Sequence, residues 1–508
     1  MNGKREYGDY QTPNYFSLAV CQYLKKERHL TPSVIIEPTC GTGSFVKSSL
    51  IFNASEIIGI EINPEYCKTC KKNITDPRVH ILNSDIFTID FKSLTRGKDQ
   101  VLIVGNPPWV NNSTLSVLGS DNVPTKKNFK EFRGVDAITG ASNFDISESI
   151  ILKLITALHG TNATIAMLCK TSVARNIFVE MKRTHTKFAS CDILEFNANK
   201  IFRISVSACL LIINLSSKDV SSDICNVYSF DRPADVIRSF GYANGEFYSN
   251  IAEERTDFSG NCCFEWRQGI KHDCSKVMEL SLEGKHFVNG LKEPVDIEKK
   301  YVFPLIKSSM FKSPIISDFS KYVLVTQKKV RENTSHIADD SPRTWGYLVS
   351  HRDLFRKRKS SIYRNAPDFS MFGIGEYSYA QYKVGVSGFY KKPLFSVLVS
   401  PNSVPVMTDD TSYFICLPTY DTAYVAMLIL NSSRVQKFLS TIAFLDAKRP
   451  YTKKVLERID FHKILRSIQL IELIDTEREL GLKHYLNENM LNAFRLLPEL
   501  NRPSKQKL

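Results

Sequence analysis

Residues 34–43, VIIEPTCGTG, join a short apolar run to a turn that contains two glycines. An apolar run without polar alternation predicts a strand that is buried on both faces, as in a parallel sheet. Gly41 and Gly43 allow the backbone to turn tightly and to approach a ligand closely. A dinucleotide-binding turn would carry a third glycine where Val46 stands, so the pattern favours a ligand without a pyrophosphate. An ordinary strand-to-helix turn is the alternative for this stretch alone.

Five further apolar runs follow in the first part of the chain and alternate with helical patterns. These runs occupy residues 57–61, 79–82, 101–104, 163–169 and 206–213. Strands that alternate with helices predict crossover connections and a parallel, doubly wound α/β sheet of the Rossmann-like kind. Ahead of the first strand, Thr12 is a good N-cap and Pro13 a good first residue for a helix.

The second part of the chain has a different texture. Short strand-like runs are interrupted by Gly, Pro, Ser and Asn, and helical patterns are few until residue 423. We therefore predict two domains, 1–220 and 221–508, the second β-rich and ending in helices. The boundary depends on the Ser- and Asp-rich stretch 216–223.

Composition narrows the class of protein. Of 508 residues, 43% are hydrophobic and 24% charged, which is ordinary globular composition. No apolar run is long enough to span a membrane, and the polar N-terminus lacks a signal region, so we expect a cytoplasmic protein. The net charge of +14 suits a polyanionic partner. The twelve scattered cysteines predict reduced thiols and no metal, with a group of Cys262, Cys263, His272 and Cys274 as the alternative.

Two carboxylates follow the second and third predicted strands. Glu61 lies 18 positions after Gly43, where a carboxylate can accept hydrogen bonds from both hydroxyls of a ribose. Asp85 can accept from an adenine amino group, while Ile62 and Ile86 sandwich the ring. A solvated strand-end glutamate and an aspartate in a turn are the alternatives. Doubly wound sheets bind ligands at the carboxyl ends of their strands, so the order of these residues favours the ligand site.

The most specific motif is Asn106-Pro107-Pro108-Trp109, directly after the fourth predicted strand. The lone pair of a nucleobase amino group is delocalised into the ring, so this nitrogen is a poor nucleophile. Two acceptors aimed at its hydrogens, the Asn106 side-chain oxygen and the Pro107 carbonyl, would stabilise the charge that develops during attack. The prolines restrict the direction of that carbonyl, and Trp109 offers a flat face for stacking. A proline-rich strand exit with a partly buried tryptophan is the alternative.

The order of these motifs resembles the gamma group of S-adenosylmethionine-dependent adenine-N6 DNA methyltransferases. These enzymes are typically the modification half of type II restriction-modification systems. The resemblance covers about residues 8–215 and implies a class I methyltransferase sheet followed by a target-recognition domain. The residues that it assigns to S-adenosyl-L-methionine are Thr12, Glu37, Thr39, Gly41, Gly43, Glu61, Ile62, Asp85 and Ile86.

The family pattern also assigns the catalytic motif and a second aromatic. The aromatic after the two prolines is commonly Tyr or Phe, and Trp109 can stack equally well. Phe202 matches a second base-stacking residue, with a core phenylalanine as the alternative. Residues 143–148 resemble the motif that opens the next helix, where Asp145 or Ser147 would be the cap and Phe144 would lie near the cofactor.

The resemblance implies a mechanism and partners. An adenine stacked in duplex DNA must be flipped into the pocket before its amino group can react. No metal and no covalent enzyme intermediate are needed. Double-stranded DNA is the expected substrate, a separate restriction endonuclease an expected partner, and a bacterial or archaeal cytoplasm the expected location.

Four stretches of the second domain stand out, because they combine basic residues with aromatic residues or glycines. Residues 352–364 (RDLFRKRKSSIYR) and 448–454 (KRPYTKK) are candidates for phosphate contact, and a solvated charged face is the alternative for each. Residues 370–392 could build a sheet with loops into a groove. Residues 266–272 (WRQGIKH) open the domain with a basic turn that is similar to stretches in the recognition domains of this family.

Other functions stay open at this point. The same chemistry could act on cytosine N4, although Ser then more often replaces Asn106, or on RNA or a protein glutamine. A DNA-binding relative that no longer catalyses is a second class, against which intact Glu61, Asn106 and Pro107 argue. A nicotinamide oxidoreductase is the most distant reading.

Overall fold

A computed structural model describes residues 11–110, 145–243, 245–251, 258–399 and 403–500. Phe144, predicted to lie near the cofactor, is outside the described residues. The chain divides into two compact units, Met1–Ala252 and Glu253–Leu508. No helix in the described ranges is long and apolar enough to cross a membrane.

The first unit contains one ten-stranded sheet with helices between its strands. The helices are α1 Asn14–Lys26, α2 Ser44–Ser48, α3 Pro64–Asn73, α4 Phe91–Leu94, α5 Ile146–Ala157, α6 Thr171–Arg183 and α7 Ala198–Phe202. The strands are β1 Val34–Glu37, β2 Glu56–Glu61, β3 Val79–Asn83, β4 Val101–Gly105, β5 Thr164–Lys170, β6 Phe188–Asn197, β7 Ser207–Leu215, β8 Ile224–Ser229, β9 Arg232–Ala243 and β10 Glu246–Tyr248.

The strand order is β3-β2-β1-β4-β5-β7-β6-β8-β9-β10. Strands β1 to β5 pair in parallel, and β7 runs antiparallel to both β5 and β6. Every residue of β1 and β4 is buried, as expected for central strands covered on both faces. This is the doubly wound sheet of the class I methyltransferase fold, with the predicted parallel order interrupted at β7.

All six predicted strands are present, but the strand β6 was not predicted. Its residues, FASCDILEFN, mix apolar and charged types, and Asp192 is a residue that strands disfavour. Asp192 is nevertheless buried, because Arg28 donates to its carboxylate at 2.7 Å. That ion pair joins positions 164 residues apart and leaves no local signature in the sequence.

The predicted boundary at residue 220 is wrong, because strands β8, β9 and β10 continue the first sheet to Tyr248. The polar stretch 216–223 is a loop within the first unit. Its Ser216 N–H donates to the Lys187 carbonyl at 3.1 Å, and its Val220 carbonyl accepts from the Phe188 N–H at 2.9 Å. Polar composition marks a surface loop as readily as it marks a linker between domains.

The first helix begins one residue later than predicted. Pro13 is the N-cap, with an extended ψ of 137°, and Asn14 is the first helical residue. Thr12 is therefore not the cap, and its side chain takes part in the site described below.

The second unit is β-rich and ends in helices, as predicted. Its strands are β11 Arg267–Gln268, β12 Glu279–Glu283, β13 His286–Asn289, β14 Pro294–Val295, β15 Val302–Ile306, β16 Ile315–Ile316, β17 Lys321–Leu324, β18 Tyr382–Ser387, β19 Ser396–Leu398, β20 Met407–Thr408 and β21 Ser412–Leu417. They form a five-stranded sheet, β11-β21-β18-β19-β16, and a six-stranded sheet, β14-β13-β12-β17-β15-β20.

The helices of the second unit are α8 Ser275–Met278, α9 Ile337–Asp340, α10 Pro342–Ser350, α11 Arg352–Arg356, α12 Tyr420–Asn431, α13 Ser433–Ile442, α14 Lys453–Leu456, α15 Phe461–Ser467, α16 Leu470–Glu479 and α17 Glu488–Arg495. Helix α12 is buried from Thr422 to Leu430, because it packs against strands on one side and helices on the other.

Candidate active site

The carboxyl ends of β3, β2, β1 and β4 lie side by side along one edge of the sheet, because these strands are parallel neighbours. Glu37 ends β1, Glu61 ends β2, and Asn106 follows β4 directly. The sheet order therefore brings together residues that are far apart in the chain, at the edge where doubly wound sheets bind ligands.

Glu37 carries a buried carboxyl group that packs closely against Gly105. Gly105 faces it so closely that a Cβ at position 105 would lie 2.3 Å from Glu37 Oε1. Burial raises the pKa of Glu37 well above its usual range, although a hydrogen bond from the Asn106 backbone opposes the shift. Gly105 was not predicted as a site residue, and its position just before the Asn-Pro-Pro motif is the signal that could have identified it.

The glycine turn holds Glu61. Gly41 has a φ of +53° and Gly43 a φ of +95°, both in the region that favours glycine. The Gly41 N–H donates to Glu61 Oε2 at 2.9 Å, and the Asn63 N–H donates to Oε1 at 2.8 Å. The carboxylate is thus fixed at the strand end by two backbone donors.

Gly43 has a second role in packing. A Cβ at this position would lie 2.5 Å from Cys70 Sγ and 2.9 Å from Ile74 Cδ1. The absence of a side chain therefore lets the turn pack closely against the end of α3.

The residues predicted to bind the cofactor's adenine differ from one another in exposure. Ile62 is 52% exposed at the end of β2, whereas Ile86 is only 6% exposed. Asp85 closes a local turn, with its Oδ1 accepting from the Phe87 N–H at 2.9 Å. Ile62 offers an apolar surface to a ring, Asp85 offers carboxylate oxygens, and Ile86 belongs mainly to the core.

Asn106 is held by Thr12, which lies two residues ahead of the first helix. The Asn106 Nδ2 donates to the Thr12 hydroxyl at 3.1 Å, across 94 positions of sequence. Thr12 is 8% exposed, and the Thr39 hydroxyl lies 3.5 Å from the Asn106 carbonyl oxygen. Thr12, Thr39 and Asn106, which were predicted separately, therefore form one connected group.

The two predicted stacking aromatics are in contact. The ring centroids of Trp109 and Phe202 lie 5.4 Å apart at 70°, an edge-to-face arrangement. Trp109 is 6% exposed, and its Nε1 donates to the Leu168 carbonyl at 3.3 Å. In this arrangement no slot for a base lies between the two rings, so stacking on both would require a side chain to move.

Lys170, at the end of β5, is a site residue that the sequence reasoning missed. Its Nζ lies 2.6 Å from Asp145 Oδ2 and 3.3 Å from the Trp109 carbonyl oxygen. A lysine that directly follows an apolar strand could have drawn attention to this position. Asp145 also caps α5, as predicted, by accepting from the Ser147 N–H at 3.1 Å.

The cysteines do not form a metal site in the described part of the chain, where no group of three or more His, Cys, Asp or Glu side chains could hold an ion. All twelve thiols are free. His272 lies 3.6 Å from Glu279, and burial lowers the pKa of this histidine.

Comparisons with known proteins identify the family of the chain. Residues 1–227 match the N-6 DNA Methylase family. The chain is 38% identical over 476 residues to the Type II methyltransferase M.NspV from Nostoc sp., which covers 92% of this chain and 98% of that protein. It is also 32% identical over 84 residues to the Type II methyltransferase M.CvrRI from Paramecium bursaria Chlorella virus XZ-6E, covering 16% of this chain and 20% of that protein.

Solved structures of restriction enzymes are similar to the chain at low identity. The ATP-dependent Type ISP restriction-modification enzyme LlaBIII bound to DNA is 12% identical, with a TM-score of 0.46, and covers 95% of this chain and 40% of that one. The type IIG restriction endonuclease BpuSI is 12% identical, with a TM-score of 0.30, and covers 95% of this chain and 61% of that one.

The relative from Nostoc spans nearly the whole chain, and the N-6 methylase match covers the unit that contains the Asn-Pro-Pro-Trp motif. The predicted activity is therefore confirmed. The chain belongs to the type II methyltransferase family and is an adenine-specific DNA methyltransferase of the restriction-modification type.

Proposed function

We propose that the chain is a gamma-group enzyme that methylates the exocyclic N6 amino group of an adenine flipped out of duplex DNA, with S-adenosyl-L-methionine as the methyl donor. The observation that carries the proposal is the Asn106 amide, whose Nδ2 donates to Thr12 at 3.1 Å. This bond orients the amide at the end of β4, and its other polar atom, Oδ1, is the type of acceptor that an amino group requires.

The residues at the strand ends fit the proposed cofactor. Thr12, Glu37 and Thr39 would hold its methionine part, because a buried carboxyl suits an ammonium group. Glu61, fixed by two backbone N–H groups, would accept from the ribose hydroxyls. When bound, S-adenosyl-L-methionine supplies a methyl group that is already activated by its positively charged sulfur.

The cofactor's adenine would lie at the ends of β2 and β3. Ile62 would cover one face of the ring, Asp85 would accept from its amino group, and Ile86 would close the apolar side. The turn at Gly41 and Gly43 would let the backbone approach closely.

The catalytic motif would act on the target amino group. Asn106 Oδ1 and the Pro107 carbonyl would each accept one of its hydrogens, which favours a pyramidal nitrogen and stabilises the developing positive charge. Pro107 and Pro108 restrict the backbone that carries this carbonyl. Trp109 and Phe202 would stack on the flipped base after their edge-to-face contact opens.

The second unit would recognise the DNA sequence. It carries the two basic stretches that were predicted to contact DNA, 352–364 and 448–454, and their basic side chains would bind phosphates. The proposal further includes a separate cognate endonuclease and a bacterial or archaeal cytoplasm, the usual setting of a restriction-modification pair.

The test is transfer of labelled methyl groups from S-adenosyl-L-methionine to unmethylated genomic DNA, followed by nucleoside analysis. We expect N6-methyladenine with the wild type and none with Asn106→Ala. Asn162→Ala is the matched control, because this exposed asparagine precedes β5 at the opposite end of the sheet and should leave activity unchanged.

Other products would contradict the proposal in different ways. Methylcytosine would keep the amino chemistry and change the target base. Product on RNA or on protein alone would overturn the DNA substrate. Undiminished activity of a folded Asn106→Ala variant would overturn the assigned catalytic residue.

A further inference from the structure

The stretches 266–272, 352–364, 370–392 and 448–454 meet at one cleft in the second unit. This cleft has a volume of about 750 Å³, and its lining includes Lys271, Lys307, Lys357, Lys359, Tyr390 and Asp410. The stretch 448–454 approaches the same place, because Arg449 Nη1 lies 3.4 Å from the Asp410 carbonyl and its guanidinium lies over Phe389. Stretches up to about 180 positions apart in the sequence are thus joined around a single concave surface.

Three backbone segments next to the cleft are in direct contact. The Ile270 N–H donates to the Thr408 carbonyl at 2.8 Å, and Lys271 and Phe372 exchange two backbone hydrogen bonds at 2.8 Å. A Cβ at Gly269 would lie 2.2 Å from the Asp409 carbonyl oxygen, so only glycine fits there. Side chains on these segments are therefore held by a rigid support.

Several charges of the cleft already have structural partners. Lys307 forms an ion pair with Glu279, with both carboxylate oxygens within 2.9 Å. Arg358 turns away to donate to the His272 and Ser370 carbonyls and to stack on Tyr363 at 3.7 Å. These residues maintain the walls of the cleft.

Three other charged side chains of the cleft have neither an ion pair nor a side-chain hydrogen bond with any residue that the structure describes. Lys357 and Lys359 are exposed and form no ion pair within the described ranges. The Asp410 carboxylate is half-buried and accepts no hydrogen bond from any described residue. Its main-chain carbonyl, by contrast, accepts from Gln268 and Arg449.

Asp409, next to Asp410, serves as a comparison. Its Oδ1 accepts from the Thr411 hydroxyl at 2.7 Å and the Ser412 hydroxyl at 2.8 Å, which stabilises the turn before β21. Burial and the neighbouring Asp409 charge raise the pKa of Asp410, whereas Lys271 and Arg449 oppose the shift. Partial burial of a carboxylate that accepts no hydrogen bond costs free energy in the unbound protein. A ligand that donates a hydrogen bond to this carboxylate would recover that free energy.

We propose that Asp410 reads the exocyclic amino group of a cytosine or adenine in the major groove of the target DNA, while Lys357 and Lys359 contact flanking phosphates. This inference rests on the proposed function of the chain as a DNA methyltransferase. Carboxylates accept hydrogen bonds from base amino groups in the major groove, and lysines neutralise phosphates without reading sequence. Asp410 is thus a specificity-determining residue, and the two lysines supply affinity.

The experiment uses the full chain and begins by sequencing genomic DNA methylated by the wild type, which identifies its recognition motif. Competition binding then compares an oligonucleotide that carries this motif with oligonucleotides changed at each base pair. At one base pair of the motif, the wild type should prefer the correct base, a cytosine or an adenine on one strand, over the other bases. In Asp410→Asn, this ratio of affinities should fall roughly 10- to 100-fold.

Two controls make the result specific. Asp318→Asn, at an exposed aspartate of the same unit, should keep the wild-type preference. The double variant Lys357→Ala, Lys359→Ala should weaken binding to all sequences without changing the preferred motif. The dependence of its affinity on salt concentration should correspond to the release of about two fewer counterions.

Several results would overturn the inference. Asp410→Asn and Asp410→Ser proteins that melt like the wild type yet keep its discrimination at every base pair would exclude base reading by Asp410. A loss of affinity that is equal for all sequences would do the same. Failure of the wild type to methylate any DNA would instead refute the proposed function, so the two failures are distinguishable.

Discussion

The carboxyl group of Glu37 fills the space that a side chain at Gly105 would need, because a Cβ at position 105 would lie 2.3 Å from Glu37 Oε1. The glycine at the end of β4 thereby lets a buried carboxyl lie beside the Asn-Pro-Pro-Trp segment. Gly105→Ala should displace this carboxyl, weaken S-adenosyl-L-methionine binding and destabilise the protein by about 1–3 kcal/mol through overpacking. Calorimetric titration and thermal unfolding would measure the two effects.

Gly346→Ala is the matched control for that substitution. An added Cβ at Gly346 meets no atom within 4 Å, and this glycine lies inside helix α10. The variant should bind the cofactor normally and gain about 0.5–1 kcal/mol of stability. Normal binding by Gly105→Ala would contradict the proposed role of Glu37.

Cofactor binding should depend on pH through Glu37. Burial raises the pKa of this carboxyl, so the neutral form predominates in the free protein to a higher pH than usual. If the ionised form pairs with the cofactor's ammonium group, affinity should increase as the pH rises towards that pKa, and binding should release a proton. Titrations in buffers of different ionisation enthalpy would detect the proton.

Glu37→Gln should remove this pH dependence. A carboxyl whose pKa is raised in the folded state contributes stability at low pH, and this contribution is lost as the pH rises through the folded-state pKa. The glutamine variant should therefore become more stable relative to the wild type with increasing pH, while binding the cofactor weakly at every pH. Equal pH profiles for both proteins would show that Glu37 is not the titrating group.

The bond between Thr12 and Asn106 should matter for turnover. Thr12→Val keeps the shape of the side chain but removes the hydroxyl that accepts from Asn106 Nδ2, so the amide loses this orienting bond. We expect kcat to fall about tenfold or more, with a smaller change in the KM for DNA. Thr31→Val, which changes an exposed threonine ahead of β1, should behave as the wild type.

Lys170 should support the catalytic segment through its bonds to Asp145 and the Trp109 carbonyl. Lys170→Met would leave Asp145, which is 5% exposed, without its cation, so we expect a loss of about 1–3 kcal/mol of stability and a lower kcat. Chemical denaturation and single-turnover kinetics would separate these effects.

Lys68→Met is the comparison for Lys170, because the side chains of Lys68 and Glu65 are both 73% exposed in their ion pair. Such surface pairs contribute little to stability, so this variant should be unchanged. A Lys170→Met enzyme with wild-type kcat would show that the ion pair serves folding alone.

The sequence by itself determined six strands of the first sheet and which polar residues lie at their ends. Apolar runs identified these six strands, and the Asn-Pro-Pro-Trp motif directly follows one of them. These signals are local, because burial of a strand and the restricted backbone of proline depend on a few consecutive residues.

The tertiary structure decided what no local pattern contains. The strand β6 was missed because its buried Asp192 is neutralised by Arg28, which lies 164 positions away. The boundary at 220 was wrong because a polar loop and a linker have the same composition. Strand order brings Glu37 against Gly105, and backbone hydrogen bonds between distant segments form the cleft around Asp410. Neither contact can be inferred from a local sequence pattern.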